Sequence, residues 1–421
     1  MEQQANGSVR LRLGALAVAV SLLVGGTALG QRAAEEEEGG APSTDIGVVT
    51  ARILQEAIEL LNMENYAGAG EKLNSLRLDR LAPYERGTVE RILFSIAYNQ
   101  ERYDAARGHL QNAINSGGLN AQQIDEARYQ IAQMYMQEEN WREGAAALEE
   151  WFKTAANPNS AAYYMLSIAY YQMEDMERAL PPAQKAVELM DPAKPNESWL
   201  SMLSALYLQR EEYREAIPVL EQLVSAAPGK KTYWMQLSSV HGQLEDYGNA
   251  LAVMQLAHSA GLVTEDSEIR RLADLLLFNE VPYRGAQVLE AAIEKKHVNL
   301  DENLYEKLAN CWIAAGEYDK AIAPLQRAAE LAPNGDMFVR LGEVQAQRED
   351  WQAAITAIER GVEKGDLRDP GNAQLWLGIA HYTEKDFAAA VPYFQRARQT
   401  DRYRNMADQY LGAIRAAQEQ E

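Results

Sequence analysis

The feature that most constrains this chain is a repeat in which an aromatic residue is followed three positions later by Ala or Gly. The pair recurs at intervals of 33 to 38 residues, and one copy replaces the ring with Met. The ten copies are Tyr66/Ala69, Tyr103/Ala106, Trp141/Gly144, Met176/Ala179, Tyr213/Ala216, Tyr247/Ala250, Tyr283/Ala286, Tyr318/Ala321, Trp351/Ala354 and Phe387/Ala390. A fixed period of this length is typical of stacked helical hairpins, each of which buries its apolar face against its neighbours.

Residues 301–333 show how one unit is built. The apolar residues from Tyr305 to Trp312 follow helical i, i+3, i+4, i+7 spacing, and Gly316 then interrupts the helix. A second apolar stripe follows, and Pro333 closes the unit because proline cannot continue a helix. The pattern predicts an all-α fold in which each unit consists of a helix, a tight turn and a second helix.

This pattern resembles the tetratricopeptide repeat (TPR) family. That family places a large residue at the fourth position of a unit, a small residue at the eighth, an aromatic at the seventeenth and Ala at the twentieth. Trp234, Leu237, Tyr247 and Ala250 match the fourth, seventh, seventeenth and twentieth positions of one unit. The resemblance covers roughly residues 48–399 and implies a right-handed α-solenoid of about ten TPR helix-turn-helix repeats.

Two parts of the chain need separate treatment. The unit around Tyr283 departs from the pattern, because Asp274 stands at the eighth position, where the family has a small residue. After the last unit, residues 400–421 carry apolar residues at helical spacing, among them Tyr403 and Tyr410. We expect them to form a C-terminal capping helix, since the end of a solenoid otherwise exposes an apolar face.

The N-terminal residues form a segment of their own. Arg10 and Arg12 precede an apolar stretch over residues 13–26, and small residues follow. This order predicts a cleaved signal peptide over residues 1–30, and hence export to the periplasm. The alternative is an uncleaved inner-membrane anchor, although the run is short for a span of about 20 residues. Residues 31–47, with four consecutive Glu, are predicted to be an acidic disordered linker.

Charge and motifs narrow the function classes. A net charge of −21 repels nucleic acid and anionic membranes, so neither is an expected partner, and we expect no membrane insertion after signal cleavage. The chain contains no phosphate-binding glycine loop, no H-E-x-x-H and no G-x-S-x-G motif. Its five histidines are scattered, and its one cysteine, Cys311, lies in an apolar helical run. The sequence therefore predicts no enzyme, with no catalytic residues, no cofactor and no metal.

One regularity could serve binding. The thirteenth position, four before the aromatic, holds Asn or Gln in eight of ten units, and tyrosines occupy the twelfth or fifth position of several. The resemblance places these positions on the inner, concave face. Amides pair with any peptide backbone, and rings add flat apolar contact. The candidate peptide-binding residues are Asn99, Gln137, Gln172, Gln209, Gln243, Asn279, Gln347, Tyr98, Tyr129, Tyr164 and Tyr171. The alternative is that these amides only satisfy free carbonyls at helix ends.

The leading interpretation is a non-enzymatic periplasmic scaffold that binds a segment of an envelope protein on its concave face. Runs such as NYAGAGEKLNSL are similar to exported proteobacterial TPR proteins associated with TonB–ExbB–ExbD-type systems. That resemblance implies a TonB-system component as a partner and a role in assisting TonB-dependent transport. The alternative is a cell-envelope assembly factor, in outer-membrane protein biogenesis or polysaccharide export.

Overall fold

A computed structural model of the chain describes residues 45–418. These residues form 21 α-helices and one short 3-10 helix, Leu78–Arg80, and contain no strand. The helices are α1 Val48–Asn62, α2 Tyr66–Asn74, α3 Pro83–Asn99, α4 Tyr103–Asn115, α5 Ala121–Gln137, α6 Trp141–Phe152, α7 Ser160–Gln172, α8 Met176–Glu188, α9 Glu197–Gln209, α10 Tyr213–Ala226, α11 Lys231–Gln243, α12 Tyr247–Ser259, α13 Asp266–Phe278, α14 Pro282–Glu294, α15 Glu302–Ala314, α16 Tyr318–Leu331, α17 Asp336–Gln347, α18 Trp351–Lys364, α19 Pro370–Thr383, α20 Phe387–Ala397 and α21 Asp401–Gln418. The predicted all-α fold of repeated hairpins is confirmed.

Each hairpin is held together by close approach of its two helices. In nine hairpins the first helix packs on the second, and within each unit the second helix packs on the first helix of the next hairpin, as α4 does on α5 and α16 on α17. At the crossing lies the small residue of the repeat: Ala106, Ala250 and Ala321 are each 0% exposed. A side chain without atoms beyond Cβ lets two helix backbones approach closely, which explains why the period in the sequence carries Ala or Gly.

The described residues divide into two compact units, the first up to residue 206 and the second from residue 207, with the boundary inside α9. The core of the second unit includes the fully buried indole of Trp312. At its C-terminal end, α21 packs on α19 and α20. The side chains of Tyr403, Ala407, Leu411 and Ile414 are buried there, so α21 covers the apolar face of the last hairpin.

Two sequence-based predictions fall largely outside the described part of the chain. The predicted signal peptide, residues 1–30, lies outside it, and so does the predicted linker except for its last three residues. Between residues 45 and 418, no helix combines the length and the hydropathy that crossing a bilayer requires.

In the seventh hairpin, the repeat register in the structure differs from the register predicted from the sequence. Ala273 is 1% exposed, and a Cβ placed on Gly285 would lie 3.4 Å from its carbonyl oxygen. Asp274, by contrast, is exposed. The small residues at the helix crossing are therefore Ala273 and Gly285, one residue before Asp274 and Ala286. The predicted register of this unit is wrong by one residue, because Gly285 and Ala286 are both small and either could be taken for the repeat position.

The turns inside the hairpins have a backbone geometry that the sequence pattern did not predict. In eight of the ten turns, a glutamate adopts φ between 58° and 61°. They are Glu64, Glu101, Glu139, Glu174, Glu211, Glu245, Glu280 and Glu349. Glycine reaches this left-handed region without cost, whereas another residue loses about 1–2 kcal/mol there. Only the eighth turn uses glycine, Gly316 at φ 73°, and the tenth uses Lys385 at φ 64°.

Candidate peptide-binding face

Seven of the eight predicted amides occupy equivalent places in the fold, as the last residue of the first helix of a hairpin. They are Asn62, Asn99, Gln137, Gln172, Gln209, Gln243 and Gln347. All seven are exposed. The eighth, Asn279, lies one residue beyond the end of α13, and the prediction that it shares their position is wrong.

The local contacts of the amides differ from one hairpin to the next. Asn99 Nδ2 donates to the carbonyl oxygen of Ser95 at 2.7 Å, which is the helix-end role that was the alternative to binding. Gln172, Gln243 and Gln347 form no side-chain hydrogen bond to another residue in the described part of the chain. Capping therefore accounts for Asn99 but not for Gln172, Gln243 and Gln347.

Asn279 has a structural role of its own. Its Nδ2 atom donates to the carbonyl oxygen of Leu275 at 2.8 Å and to that of Tyr247 at 3.2 Å. The side chain is half-buried and ties α13 to the preceding hairpin. Because both of its N–H groups are used within the protein, Asn279 is not part of the binding face described below.

Gln137 bridges two tyrosines of the preceding hairpin. The hydroxyl of Tyr98 donates to Gln137 Oε1 at 3.3 Å, and Gln137 Nε2 donates to the hydroxyl oxygen of Tyr103 at 2.9 Å. The two tyrosine rings meet edge to face, with their centroids 5.7 Å apart. These neutral contacts fix the conformations of all three side chains.

Tyr129 of α5 and Tyr164 of α7 occupy the fifth position of their repeat units. Both are half-buried, and each ring lies against a tryptophan: Tyr129 on Trp151 with centroids 4.6 Å apart, and Tyr164 on Trp199 at 5.8 Å. Such ring pairs contribute about 0.5–1.5 kcal/mol beyond the area they bury. The tyrosines are therefore held in place before any partner arrives.

Hydrogen bonds orient the hydroxyl groups of the same two tyrosines. Burial raises the pKa of Tyr129, although hydrogen bonds from Asn159 and Gln133 act in the opposite direction. Burial likewise raises the pKa of Tyr164, opposed by a hydrogen bond from Ser198. Since the pKa of each lies above the usual value of about 10, both hydroxyl groups are neutral at pH 7.

We call Tyr98, Tyr129, Gln137, Tyr164, Tyr171 and Gln172 the tyrosine–amide face. All six lie in the first unit, on α3, α5 and α7, and Tyr171 is half-buried next to exposed Gln172. The face presents rings together with amide donors and acceptors, and none of its six side chains is charged. Of the predicted residues, Gln209, Gln243 and Gln347 belong to the second unit and are not placed in this face.

The rest of the same helical stripe is almost uncharged in these three helices. The second, fifth, sixth, ninth, twelfth and thirteenth positions of a unit lie on one side of its first helix. Gly87, Asp125 and Ser160 are position one of the units that contain α3, α5 and α7, so the three helices together have 18 such positions. Two of the 18 are charged, Arg91 and Glu126. Asp266, Glu302 and Gly335 are position one of the units that contain α13, α15 and α17. Of the 18 equivalent positions in these helices, eight hold charged residues: Arg270, Arg271, Asp274, Glu306, Lys307, Asp336, Arg340 and Glu343.

The charged stripe of the second unit is largely neutralised by its own ion pairs. Lys307 Nζ lies 2.5 Å from Asp274 Oδ1, which joins α15 to α13. Arg340 Nη1 lies 3.2 Å from Glu306 Oε1, and Arg340 also donates to Asn310, which joins α17 to α15. Charges paired in this way are less available to a ligand than free ones.

These ion pairs and the residues that orient the tyrosines were not predicted from the sequence. Lys307 and Asp274 are 33 positions apart, and Arg340 and Glu306 are 34 apart, so each pair spans one repeat. Opposite charges one period apart at stripe positions were the available signal. The contributions of Asn159 and Ser198 had no such signal, because they lie at the start of the following first helix.

The structure offers little to catalysis in the described residues. Between residues 45 and 418, no group of three or more His, Cys, Asp or Glu side chains is arranged to hold a metal ion. Burial raises the pKa of the Cys311 thiol to about 11, which keeps it protonated and poorly nucleophilic at neutral pH. His241, only 7% exposed, lies with Nδ1 3.2 Å from Asp246 Oδ2 and packs within its own hairpin.

The fold defines a class, that of α-helical repeat proteins built from stacked hairpins. The sequence model of the family described as Tetratricopeptide repeat matches residues 129–197, 202–261, 270–336 and 339–405. The four segments together make up more than half of the chain. The chain therefore belongs to the tetratricopeptide repeat family, whose repeat is a non-catalytic protein-interaction fold.

Solved structures include similar repeat proteins, whereas a search of curated proteins finds no match. A tetratricopeptide repeat protein from Parabacteroides merdae is 15% identical, with 61% of this chain and 98% of that chain covered and a TM-score of 0.31. YrrB, described as a TPR protein with an unusual peptide-binding site, is 18% identical over 40% of this chain and 83% of its own, with a TM-score of 0.33. A MamA fragment from Desulfovibrio magneticus RS-1 is 19% identical, with 40% of this chain and 94% of that chain covered and a TM-score of 0.32.

Proposed function

We propose that this protein is a non-enzymatic scaffold that binds an extended segment of another protein on the tyrosine–amide face. The observation that carries the proposal is that the tyrosines are fixed by rings and hydrogen bonds while Gln172 beside them has no partner in the described part of the chain. Preorganised side chains lose little entropy on binding, and a free amide can donate to and accept from a peptide backbone.

We further propose that the scaffold works in the periplasm of a Gram-negative cell. The support is the order of basic, apolar and small residues over residues 1–30. The similarity of the chain to exported TPR proteins associated with TonB–ExbB–ExbD-type systems supports a TonB-system component as the partner and a role in TonB-dependent transport. An envelope assembly factor, in outer-membrane protein biogenesis or polysaccharide export, is the second candidate, and identification of the partner separates the two.

The binding role of the free amide on the face is tested by changing Gln172 to Ala, with Gln243→Ala in the second unit as the matched control. We expect Gln172→Ala to reduce recovery of the partner in crosslinked, affinity-purified complexes and Gln243→Ala to leave it unchanged, while the thermal unfolding midpoint changes little in either variant because both side chains are exposed. The opposite pattern for Gln172→Ala, a lower midpoint with the partner retained, would show that this amide serves the fold alone.

The location is tested by fractionating cells that carry the full chain with a C-terminal tag. The proposal predicts the tag in the periplasmic fraction and envelope proteins among the crosslinked partners. A TonB-system component supports the transport role, and an outer-membrane assembly or polysaccharide-export component supports the second candidate. Recovery of cytoplasmic proteins alone would overturn export and both roles.

A further inference from the structure

The strongest unexplained feature of the molecule is the absence of charge from the tyrosine–amide face of a chain whose net charge is −21. Its six side chains are tyrosines and glutamines, and the stripe that contains it carries only Arg91 and Glu126, which are of opposite sign. An acidic protein could attract a basic partner here with a few carboxylates on the same stripe. These helices carry amides and rings in those places instead.

The links between successive first helices in this unit are also neutral. α3 and α5 are joined through Tyr98 and Gln137, and α5 reaches the start of α7 through Tyr129 and Asn159. The next link is made by Tyr164 of α7, with Ser198 as its partner. With neutral links, the only ionised side chains at the 18 stripe positions of α3, α5 and α7 are Arg91 and Glu126, whose opposite charges give the stripe no net attraction for either sign.

The chemistry of the face selects its occupant. An ionised side chain placed against rings and amides gives up hydration and meets no counter-charge, which is unfavourable. A peptide backbone, in contrast, finds donors and acceptors in the glutamines, and uncharged side chains find flat contact on the tyrosines. A segment free of ionised side chains is therefore the occupant that gains most.

We infer that the partner segment is an extended stretch of protein with few or no ionised side chains, held on the tyrosine–amide face by contacts that salt does not weaken. This inference rests on the proposed function, because it specifies the partner of the same face. It excludes electrostatic recruitment, which for a chain of this charge is the obvious alternative. The ion-paired stripe on α13, α15 and α17 takes no part in holding the segment.

The test uses the full chain and a displayed library of random peptides of about 12 residues, long enough in extended form to cross successive first helices. We expect the selected peptides to be depleted in Asp, Glu, Lys and Arg relative to the library. Their Kd should change less than about threefold between about 0.1 M and about 1 M NaCl, a range in which the Debye length falls from about 10 to about 3 Å.

Variants of the full chain locate the site. The double change Tyr129→Ala with Tyr164→Ala should weaken binding of a selected peptide by about tenfold or more, as for aromatic anchors at interfaces. Because truncating half-buried rings can disturb the fold, Tyr164→Phe serves as a second variant, and it should keep affinity within about threefold since the ring remains. Lys307→Ala, in the ion-paired stripe, is the matched control and should leave affinity unchanged.

The outcomes are distinct. Selection of charged peptides whose affinity falls about tenfold with salt, or loss of binding in Lys307→Ala, would overturn the inference while leaving a peptide-binding scaffold intact. Uncharged peptides that bind the double variant as tightly as the unmodified chain would overturn the location. Failure to select any peptide from a folded chain would count against the proposed function itself.

Discussion

The first helices of the two units are joined in different ways. In the first unit α3, α5 and α7 are linked by tyrosine rings and neutral hydrogen bonds, as between Tyr98 and Gln137. In the second unit α13, α15 and α17 are linked by ion pairs, as between Lys307 and Asp274. The hairpins are packed by the same small residues in both, so the repeat fixes the framework and leaves the exposed stripe free to differ. One stripe carries only two charged residues, of opposite sign, and presents the Gln172 amide, which has no hydrogen-bond partner among the described residues, whereas the other stripe pairs most of its charges internally.

Removal of a central cation in the second unit should have the largest effect on stability. The Arg270 side chain is 12% exposed and contacts Asp266 at 2.8 Å and Asp301 at 3.0 Å. Arg270→Ala leaves two neighbouring carboxylates without their counter-charge, and we expect a loss of about 3 kcal/mol. Tyr98→Phe, which removes one exposed neutral bond, should cost about 0.5 kcal/mol. Urea unfolding measures both, and equal losses would remove the energetic distinction between the two kinds of link.

The shared framework is tested by overpacking one crossing in each unit. Ala106 and Ala250 are both 0% exposed at equivalent places. Ala106→Leu and Ala250→Leu should each cost about 1–3 kcal/mol, because added methylene groups force the helices apart. Thermal melting checks this. An unchanged midpoint in either variant would contradict the assigned repeat register in that unit.

Acid should loosen the second unit through its paired carboxylates. Burial opposes ionisation of Asp301, but hydrogen bonds from the Leu304 amide and from Arg270 outweigh it, so the pKa of Asp301 lies below its ordinary value of about 3.9. A carboxyl with a lowered pKa contributes stability that is complete above the unfolded pKa and is lost as pH falls from about 4 towards the folded pKa.

Hydrogen exchange at matched intrinsic rates, at about pH 5 and about pH 3, measures this loss. Backbone amides of α13 and α15 should lose protection at about pH 3. In Asp301→Asn, protection of the same amides should already be reduced at about pH 5 and should change less between the two pH values. The same protection in Asp301→Asn as in the unmodified chain at both pH values would exclude this carboxyl as the cause.

The smallest expected effect concerns the turns, where the two units are alike. Glu174 in the first unit and Glu245 in the second adopt φ of 59° and 58°, and both are exposed. Glu174→Gly and Glu245→Gly should each stabilise by about 0.5–1 kcal/mol, since relief of the left-handed strain exceeds the entropy that glycine loses on folding. Destabilisation in thermal melts would mean that the glutamate side chains contribute contacts to the turn.

The fold could be predicted because its signal is repeated. Each unit places small and large residues at equivalent positions, so an irregular copy does not obscure the period. The error in the seventh hairpin arose at Gly285 and Ala286, because two adjacent small residues allow two registers. Helix packing decides between them, and packing cannot be read from one unit in isolation.

The site could be predicted only in part, for a different reason. The exposure of the amides followed from their position at helix ends, but whether an amide caps its own helix depends on side-chain length: Asn99 reaches the Ser95 carbonyl, whereas Gln172 forms no such bond among the described residues. The link between Tyr129 and Asn159 joins residues whose proximity depends on how two hairpins stack. Interactions between repeats are tertiary facts, and a period defined within one repeat does not encode them.

The most direct test of the central claim is site-specific photo-crosslinking in cells. A photoreactive residue is placed at Gln172, on the tyrosine–amide face, or at Glu343, on the charged stripe of α17. We expect a discrete crosslinked partner from the Gln172 position and none from the Glu343 position. A partner captured at Glu343 but not at Gln172 would contradict it, because the ion-paired stripe and not the neutral face would then be the one that binds.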